Sequence, residues 1–269
     1  MPAEFRRVTV MGTALVTGAS AGLGLEFAWQ LATARHDVVL VARDEERLTR
    51  LARQLEAAAG VRAEVLVADL SDRADVERVA ERLRSPQRPV GLLVNNAGYG
   101  LNQEFVDGDV RAEEVALDVM VRAVMVLSRA AAGAMVPRGR GAILNVGSIA
   151  ALMASGTYSA HKAWVRTFTE SLAVELRGTG VTATVVNPGF THTEFHERGR
   201  IDMSAMPDAV WLNAEDVVAA ALADVRRGAV ISTPSLRYKA VSAIARLAPR
   251  GAVRSVGRYR RPLDEPAAD

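Results

Sequence analysis

No cysteine occurs in the 269 residues, which excludes disulfides, thiolate metal ligands and a cysteine nucleophile. Lysine is almost as scarce. Of 33 basic residues only Lys162 and Lys239 are lysines, the others being arginine. A bias of that size reflects coding-sequence composition more than function, so the informative point is where the first lysine stands. The net charge of +2 and the lack of a nucleic-acid motif argue against a nucleic-acid partner. No uninterrupted apolar run approaches the roughly 18 residues that span a bilayer. The opening Met-Pro-Ala-Glu-Phe-Arg-Arg does not read as a secretory signal. A soluble, cytoplasmic chain is the expectation, and its length and 49% hydrophobic content suffice for one α/β domain with a full core.

What is present is an alternation. Short β-branched runs at Val8 to Val16, Asp37 to Val41, Glu64 to Ala68, Gly91 to Asn95, Ala142 to Val146, Thr182 to Val186 and Ala229 to Ser232 read as strands. Amphipathic stretches near Leu23–Ala34, Glu45–Ala59, Ala74–Arg84, Ala112–Val136, Tyr158–Arg177 and Ala214–Arg226 read as the helices between them. Almost continuous apolar strands indicate a parallel sheet covered on both faces. The spacing predicts one doubly wound, Rossmann-type α/β domain over 1–269, with a seven-stranded parallel sheet and helices on both faces.

Two patterns carry chemistry. The first strand runs into Thr17-Gly18-Ala19-Ser20-Ala21-Gly22-Leu23-Gly24, and a helix follows. Glycines there let the backbone turn tightly and approach a pyrophosphate, with a helix N-terminus facing the charge; a merely tight strand-to-helix connection is the plainer reading. The second strand ends Val41-Ala42-Arg43-Asp44. Arg43 offers a donor fork suited to a ribose 2′-phosphate, which favours NADP(H) over NAD(H), while Asp44 reads as a helix cap. The second pattern is Tyr158-Ser-Ala-His-Lys162. At i and i+4 the phenol and the ammonium share a helix face, and a nearby positive charge is expected to lower the tyrosine pKa.

With these residues in place, residues 10–230 resemble a short-chain dehydrogenase/reductase. The same order of motifs continues through Asp69-Leu70, Asn95-Asn96-Ala97-Gly98, Asn145-Val146-Gly147-Ser148 and Asn187-Pro188-Gly189. The resemblance implies an oxidoreductase that interconverts a carbonyl and an alcohol, with Tyr158 as acid/base, Ser148 steadying the substrate oxygen and Lys162 holding the ribose. It implies a cofactor cradle of Gly18, Ser20, Ala21, Gly22, Leu23 and Gly24, with Arg43 at the 2′-phosphate and Asp69 and Leu70 at the adenine. Asn96, Ala97 and Gly98 would lie along the cofactor, and Pro188, Gly189, Phe190 and Thr193 would hold its nicotinamide end. It implies a homodimer or homotetramer built on the two long helices. An NADP(H)-binding regulatory protein is the alternative, and an isomerase or dehydratase with tightly held cofactor is a third reading.

Two departures stand out. Met120 occupies the slot where relatives carry an asparagine whose backbone carbonyl holds a water beside the lysine. Ser148 precedes Tyr158 by ten positions where relatives commonly show about thirteen, which leaves Ser155 as an alternative hydroxyl and Thr157 as a helix cap. The apolar Leu152, Met153 and Phe195, with a lid over 190–211, point to a hydrophobic small-molecule substrate. His161 reads as a helix-surface or interface residue. His192 and His196 lack a third ligand, so no metal site is expected. The extension 235–269 carries Arg237, Lys239, Arg246, Arg250, Arg254, Arg258, Arg260 and Arg261. Packing on its own subunit or a neighbour is the expectation, with peripheral membrane contact as the alternative.

Overall fold

The computed structural model describes residues 12–101, 103–194 and 207–256. Its elements in chain order are β1 (Thr13–Thr17), α1 (Gly22–Thr33), β2 (Asp37–Ala42), α2 (Glu45–Ala59), β3 (Ala63–Val67), α3 (Arg73–Arg84) and β4 (Val90–Asn95). There follow α4 (Val110–Leu117), a π turn (Asp118–Arg122), α5 (Ala123–Met135), β5 (Gly141–Val146), a 3-10 turn (Ile149–Leu152), α6 (Gly156–Glu175) and β6 (Val181–Val186). The chain continues through α7 (Ala214–Arg226), β7 (Ile231–Ser232), α8 (Leu236–Leu247) and α9 (Arg250–Val256).

The seven strands form one parallel sheet in the order β3-β2-β1-β4-β5-β6-β7. Strand order reverses between β1 and β4, and in open α/β sheets ligands bind outside the strand ends at such a point. Leu15, Val39, Leu93 and Ile143 point to one face, where α3, α5 and α6 cover them. Val16, Leu40, Val94 and Leu144 point to the other, beneath α1, α2 and α7. This alternation explains the apolar strands, because period two sends successive side chains into two different cores. The expected fold class is the observed one.

Differences from the sequence reading are local. Val8 to Met11 lie outside the described residues. β7 is only Ile231–Ser232, and the Ala229 carbonyl accepts the Thr184 hydroxyl instead. The single helix expected over Ala112–Val136 is a continuous helical path with a π turn inside it. From Val110 to Arg138 that path is long and apolar enough to cross a bilayer, which a search for unbroken runs overlooks. Here it is a core helix, burying Ala116, Val119, Met120, Ala123, Leu127 and Met135.

Candidate active site

At the first turn the glycines are required by space. A Cβ on Gly24 would stand 2.1 Å from the Gly18 carbonyl oxygen and 2.5 Å from Asn96 Nδ2. Gly22 adopts φ +54°, and a Cβ there would press 3.3 Å from Thr193 Cβ. Gly24→Ala is therefore expected to destabilise the fold by about 1–3 kcal/mol, read as a lower urea midpoint with an unchanged slope. Thr17 stitches the neighbouring strand end to this turn, its Oγ1 accepting from the Asn96 and Ala97 amides at 2.9 and 3.1 Å.

The start of α1 is unlike those of the next three helices. Asp44, Asp72 and Asp109 cap α2, α3 and α4 with side-chain hydrogen bonds. α1 has Ala21 at that position, no side-chain cap and no acidic residue in its first turn. Its leading amides and the positive end of its dipole are left for an anion, which is what a dinucleotide pyrophosphate requires. The residues present fit the cofactor. Arg43 extends from the tip of β2, 74% exposed, with Nη1 3.9 Å from Asp69 Oδ2. A hollow of about 230 Å³ lies beside the turn, lined by Ser20, Arg47 and Arg50 among others. Asp44 caps α2 through the Arg47 amide at 2.9 Å, as its position suggests. A larger hollow, lined by Glu26, Trp29, Gln30, Thr33, Ala34 and Glu215, lies away from these residues, between α1 and the start of α7.

A buried polar ladder sets the catalytic floor. Asn95 Nδ2 on β4 donates to Ser128 Oγ on α5 at 3.1 Å and to Asn145 Oδ1 on β5 at 2.9 Å. Asn145 Nδ2 donates to Thr169 Oγ1 on α6 at 2.9 Å, and Thr169 closes onto the Val165 carbonyl at 2.6 Å. Such a network is stabilising only when its members are satisfied, and these bonds tie two strands to two helices. Ser148 follows β5 and Tyr158 lies in the first turn of α6, so the ladder fixes one relative to the other.

Ser148 stands close enough to the Tyr158 phenol to pull its pKa down, while its Oγ accepts from the Ala150 amide at 3.1 Å. Ser155 is the exposed residue preceding α6, so of the two candidate hydroxyls Ser148 meets the phenol. Thr157 lies inside the helix rather than capping it. Lys162 is 4% exposed, and its Nζ donates to the Val146 carbonyl at 2.8 Å and lies 5.7 Å from the centre of the Tyr158 ring. Burial brings the Lys162 ammonium down to about 8.

The expected acidification of Tyr158 is not found. Burial pushes the phenol up to about 12, against a smaller downward pull from the Ser148 hydrogen bond. Lys162 donates to the Val146 carbonyl, and burial of the phenol makes the protein by itself favour its neutral form.

Met120 is 1% exposed and lies within the π turn. A Cβ placed on Gly98 would sit 3.3 Å from Met120 Cγ and Sδ and 3.5 Å from Lys162 Nζ. The thioether therefore closes the space beside the ammonium. Asp118 and Arg122 pair with each other across the same turn. His161 corrects the reading from sequence: it is 7% exposed with Nδ1 unpartnered. Burial lowers its pKa, with Glu113 opposing and Lys162 adding to the shift. Glu113 is itself 8% exposed, accepting from Gln103 Nε2 at 3.0 Å and leaving Oε2 unpartnered. The signal for His161 was its i+4 neighbour Val165, a fully buried core position.

Around the substrate side, Leu152 and Met153 are half-buried and Phe195 lies outside the described residues. Tyr238 of α8 holds the loop after β6: its hydroxyl accepts from the Phe190 amide at 3.2 Å and donates to the Val210 carbonyl at 2.6 Å. Its ring fills the space that a Cβ on Gly189 would need, at 2.1 Å. His192 stacks on Trp211 at 4.6 Å, and no cluster of metal-binding side chains occurs among the described residues. His196 lies outside them.

A glycine turn with an uncapped helix at the sheet's switch point, facing a serine-tyrosine-lysine floor, defines a dinucleotide-dependent oxidoreductase. The chain belongs to the short chain dehydrogenase family, whose model matches residues 12–203. Sulfoacetaldehyde reductase 2 of Chromohalobacter salexigens is 37% identical over 213 residues, which span 76% of this chain and 84% of that one. A short-chain dehydrogenase from Sphingobium yanoikuyae in complex with NADPH matches with a TM-score of 0.79 at 34% identity, over 95% of this chain and 99% of the other. The bulky-bulky ketone specific alcohol dehydrogenase from Comamonas testosteroni matches with a TM-score of 0.77 at 29% identity, over 94% and 97%. The chain is thus an oxidoreductase of alcohol and carbonyl groups that works with a nicotinamide cofactor.

Proposed function

We propose that this protein reduces a hydrophobic ketone with NADPH, Tyr158 supplying the proton. The observation that carries the reading is the placing of Ser148 against the Tyr158 phenol, with Lys162 beside the ring. A nicotinamide cofactor held here would supply hydride to the carbonyl carbon, leaving negative charge to develop on the oxygen. The Ser148 hydroxyl stabilises that oxygen, and Tyr158, protonated throughout the neutral range, donates to it. A phenol held near 12 keeps its proton at neutral pH and leaves little phenolate to act as base, which favours running the site in the reducing direction. Lys162 would orient the ribose end of the cofactor once it exchanges the Val146 carbonyl for those hydroxyls.

Preference for NADP(H) rests on Arg43, with Ser20, Arg47 and Arg50 around the adjacent hollow. Asp69 and Leu70 would border the adenine, and Asn96 to Gly98 and Pro188 to Thr193 would line the nicotinamide side. Leu152, Met153, Phe190 and Trp211 would form the apolar wall; of the lid expected over 190–211 and the extension expected over 235–269, residues 195–206 and 257–269 lie outside the described residues. We propose cytoplasmic action and a homodimer or homotetramer. The exposed Val115, Leu117, Met125 and Val174, on α4 to α6, offer an apolar face for such pairing.

Arg43→Ala tests the cofactor assignment. NADPH binding should weaken by about 1–3 kcal/mol, the value of a charged hydrogen bond, with NADH spared. Equal loss for both would overturn the phosphate assignment. A panel of hydrophobic ketones followed by NADPH absorbance tests the reaction. The alternative is a cofactor-binding regulator, which the thioether of Met120 beside Lys162 favours; it predicts tight NADPH binding and no turnover on any ketone of the panel.

A further inference from the structure

Helix α8 lies on the substrate side, packed against the 3-10 turn Ile149–Leu152 and held by Tyr238 to Phe190 and Val210. At 100° per residue, Leu236, Ala240, Ala243, Ile244 and Leu247 fall within an arc of about 100°. Tyr238 lies on the opposite side, so this arc faces outward. Leu236 is 82% exposed, Ile244 68% and Leu247 87%. The helix thus packs on its own subunit through Tyr238 and presents its apolar stripe outward. Arg237 borders one edge of the stripe, and Lys239 and Arg246 border the other.

Charge decides the occupant. No aspartate or glutamate occurs between Asp224 and Asp264. Lys239, Arg246, Arg250 and Arg254 form no ion pair among the described residues. Two copies pairing face to face through this helix would bring like charges together, whereas an anionic lipid surface meets both the cations and the exposed leucines. From this stripe and its flanking cations we infer that α8 is an interfacial helix that docks the protein on anionic membrane surfaces, with the substrate mouth close to the lipid. The inference goes beyond the reaction and does not depend on which ketone is reduced.

Co-sedimentation of the full-length protein with vesicles tests it. Vesicles of equal parts phosphatidylglycerol and phosphatidylcholine should capture the protein at low salt, and pure phosphatidylcholine should capture at least ten-fold less. Lys239→Glu with Arg246→Glu should weaken capture by more than the roughly five-fold expected for each lost cation. Leu236→Ser/Ile244→Ser/Leu247→Ser should abolish capture while leaving the melting temperature and NADPH binding intact, as these side chains are exposed. Wild-type protein that stays in the supernatant, or binds both vesicle types alike, overturns the inference. So does a serine variant that sediments like wild type. Should the serine variant instead dissociate an oligomer of a protein that ignores vesicles, the stripe is a contact between copies and the lipid assignment falls.

Discussion

Tyr158→Phe should lower ketone reduction by about 10²–10⁴-fold, the usual contribution of a positioned general acid, while NADPH affinity stays within about two-fold. The phenylalanine ring keeps the packing and removes only the hydroxyl that faces Ser148. In wild type the reduction rate should stay level through neutral pH, because the phenol holds its proton until about 12. The reverse reaction needs phenolate and should climb about ten-fold per pH unit below that point. Stopped-flow absorbance under single turnover reads both limbs. A variant that reduces ketone at the wild-type rate would remove Tyr158 from the chemistry, and an equally level oxidation limb would show that another group takes the proton.

Lys162→Met should abolish turnover and yet raise the melting temperature of the cofactor-free protein at pH 7. The folded chain holds the ammonium at about 8 against 10.5 when unfolded, so below 8 the buried charge costs on the order of 3 kcal/mol. The sign follows from proton counting: between about 8 and 10.5 the unfolded chain binds the extra proton, and wild-type stability rises with pH through that window. Methionine removes this cost but leaves the Val146 carbonyl unpaired, worth about 1–3 kcal/mol. The variant should therefore gain on wild type near pH 7 and lose to it near pH 10.5. The relative shift between those pH values should be about 6–12 °C. Parallel melting curves across the range would refute the burial cost.

Much of the fold was legible because the central strands bury both faces and the glycine and asparagine motifs fall at strand ends. Thr13–Thr17 to Gly24, Asp44 as a cap and Tyr158 over Lys162 are local patterns with local causes. What escaped the sequence was set by tertiary contact. The π turn at Asp118–Arg122 was missed because a single wider turn shifts the apolar face by one residue, too little to break the helical pattern read across it. The phenol pKa depended on how deeply the packed fold buries the ring, which the spacing of Tyr158 and Lys162 does not reveal. His161 and Glu113 lie on separate elements, and nothing in either segment alone marks them as buried together. Which face of α8 turns outward was not legible from its composition, because Tyr238 decides its orientation.

The Asn95–Asn145–Thr169 ladder also limits where this enzyme can change. It welds the serine and the tyrosine into a single unyielding bed, so variation in taste for substrate is left to the segments that hang from Tyr238. Exchanging the stretch after Phe190 together with α8 for those of a relative should transplant selectivity without disturbing the bed beneath.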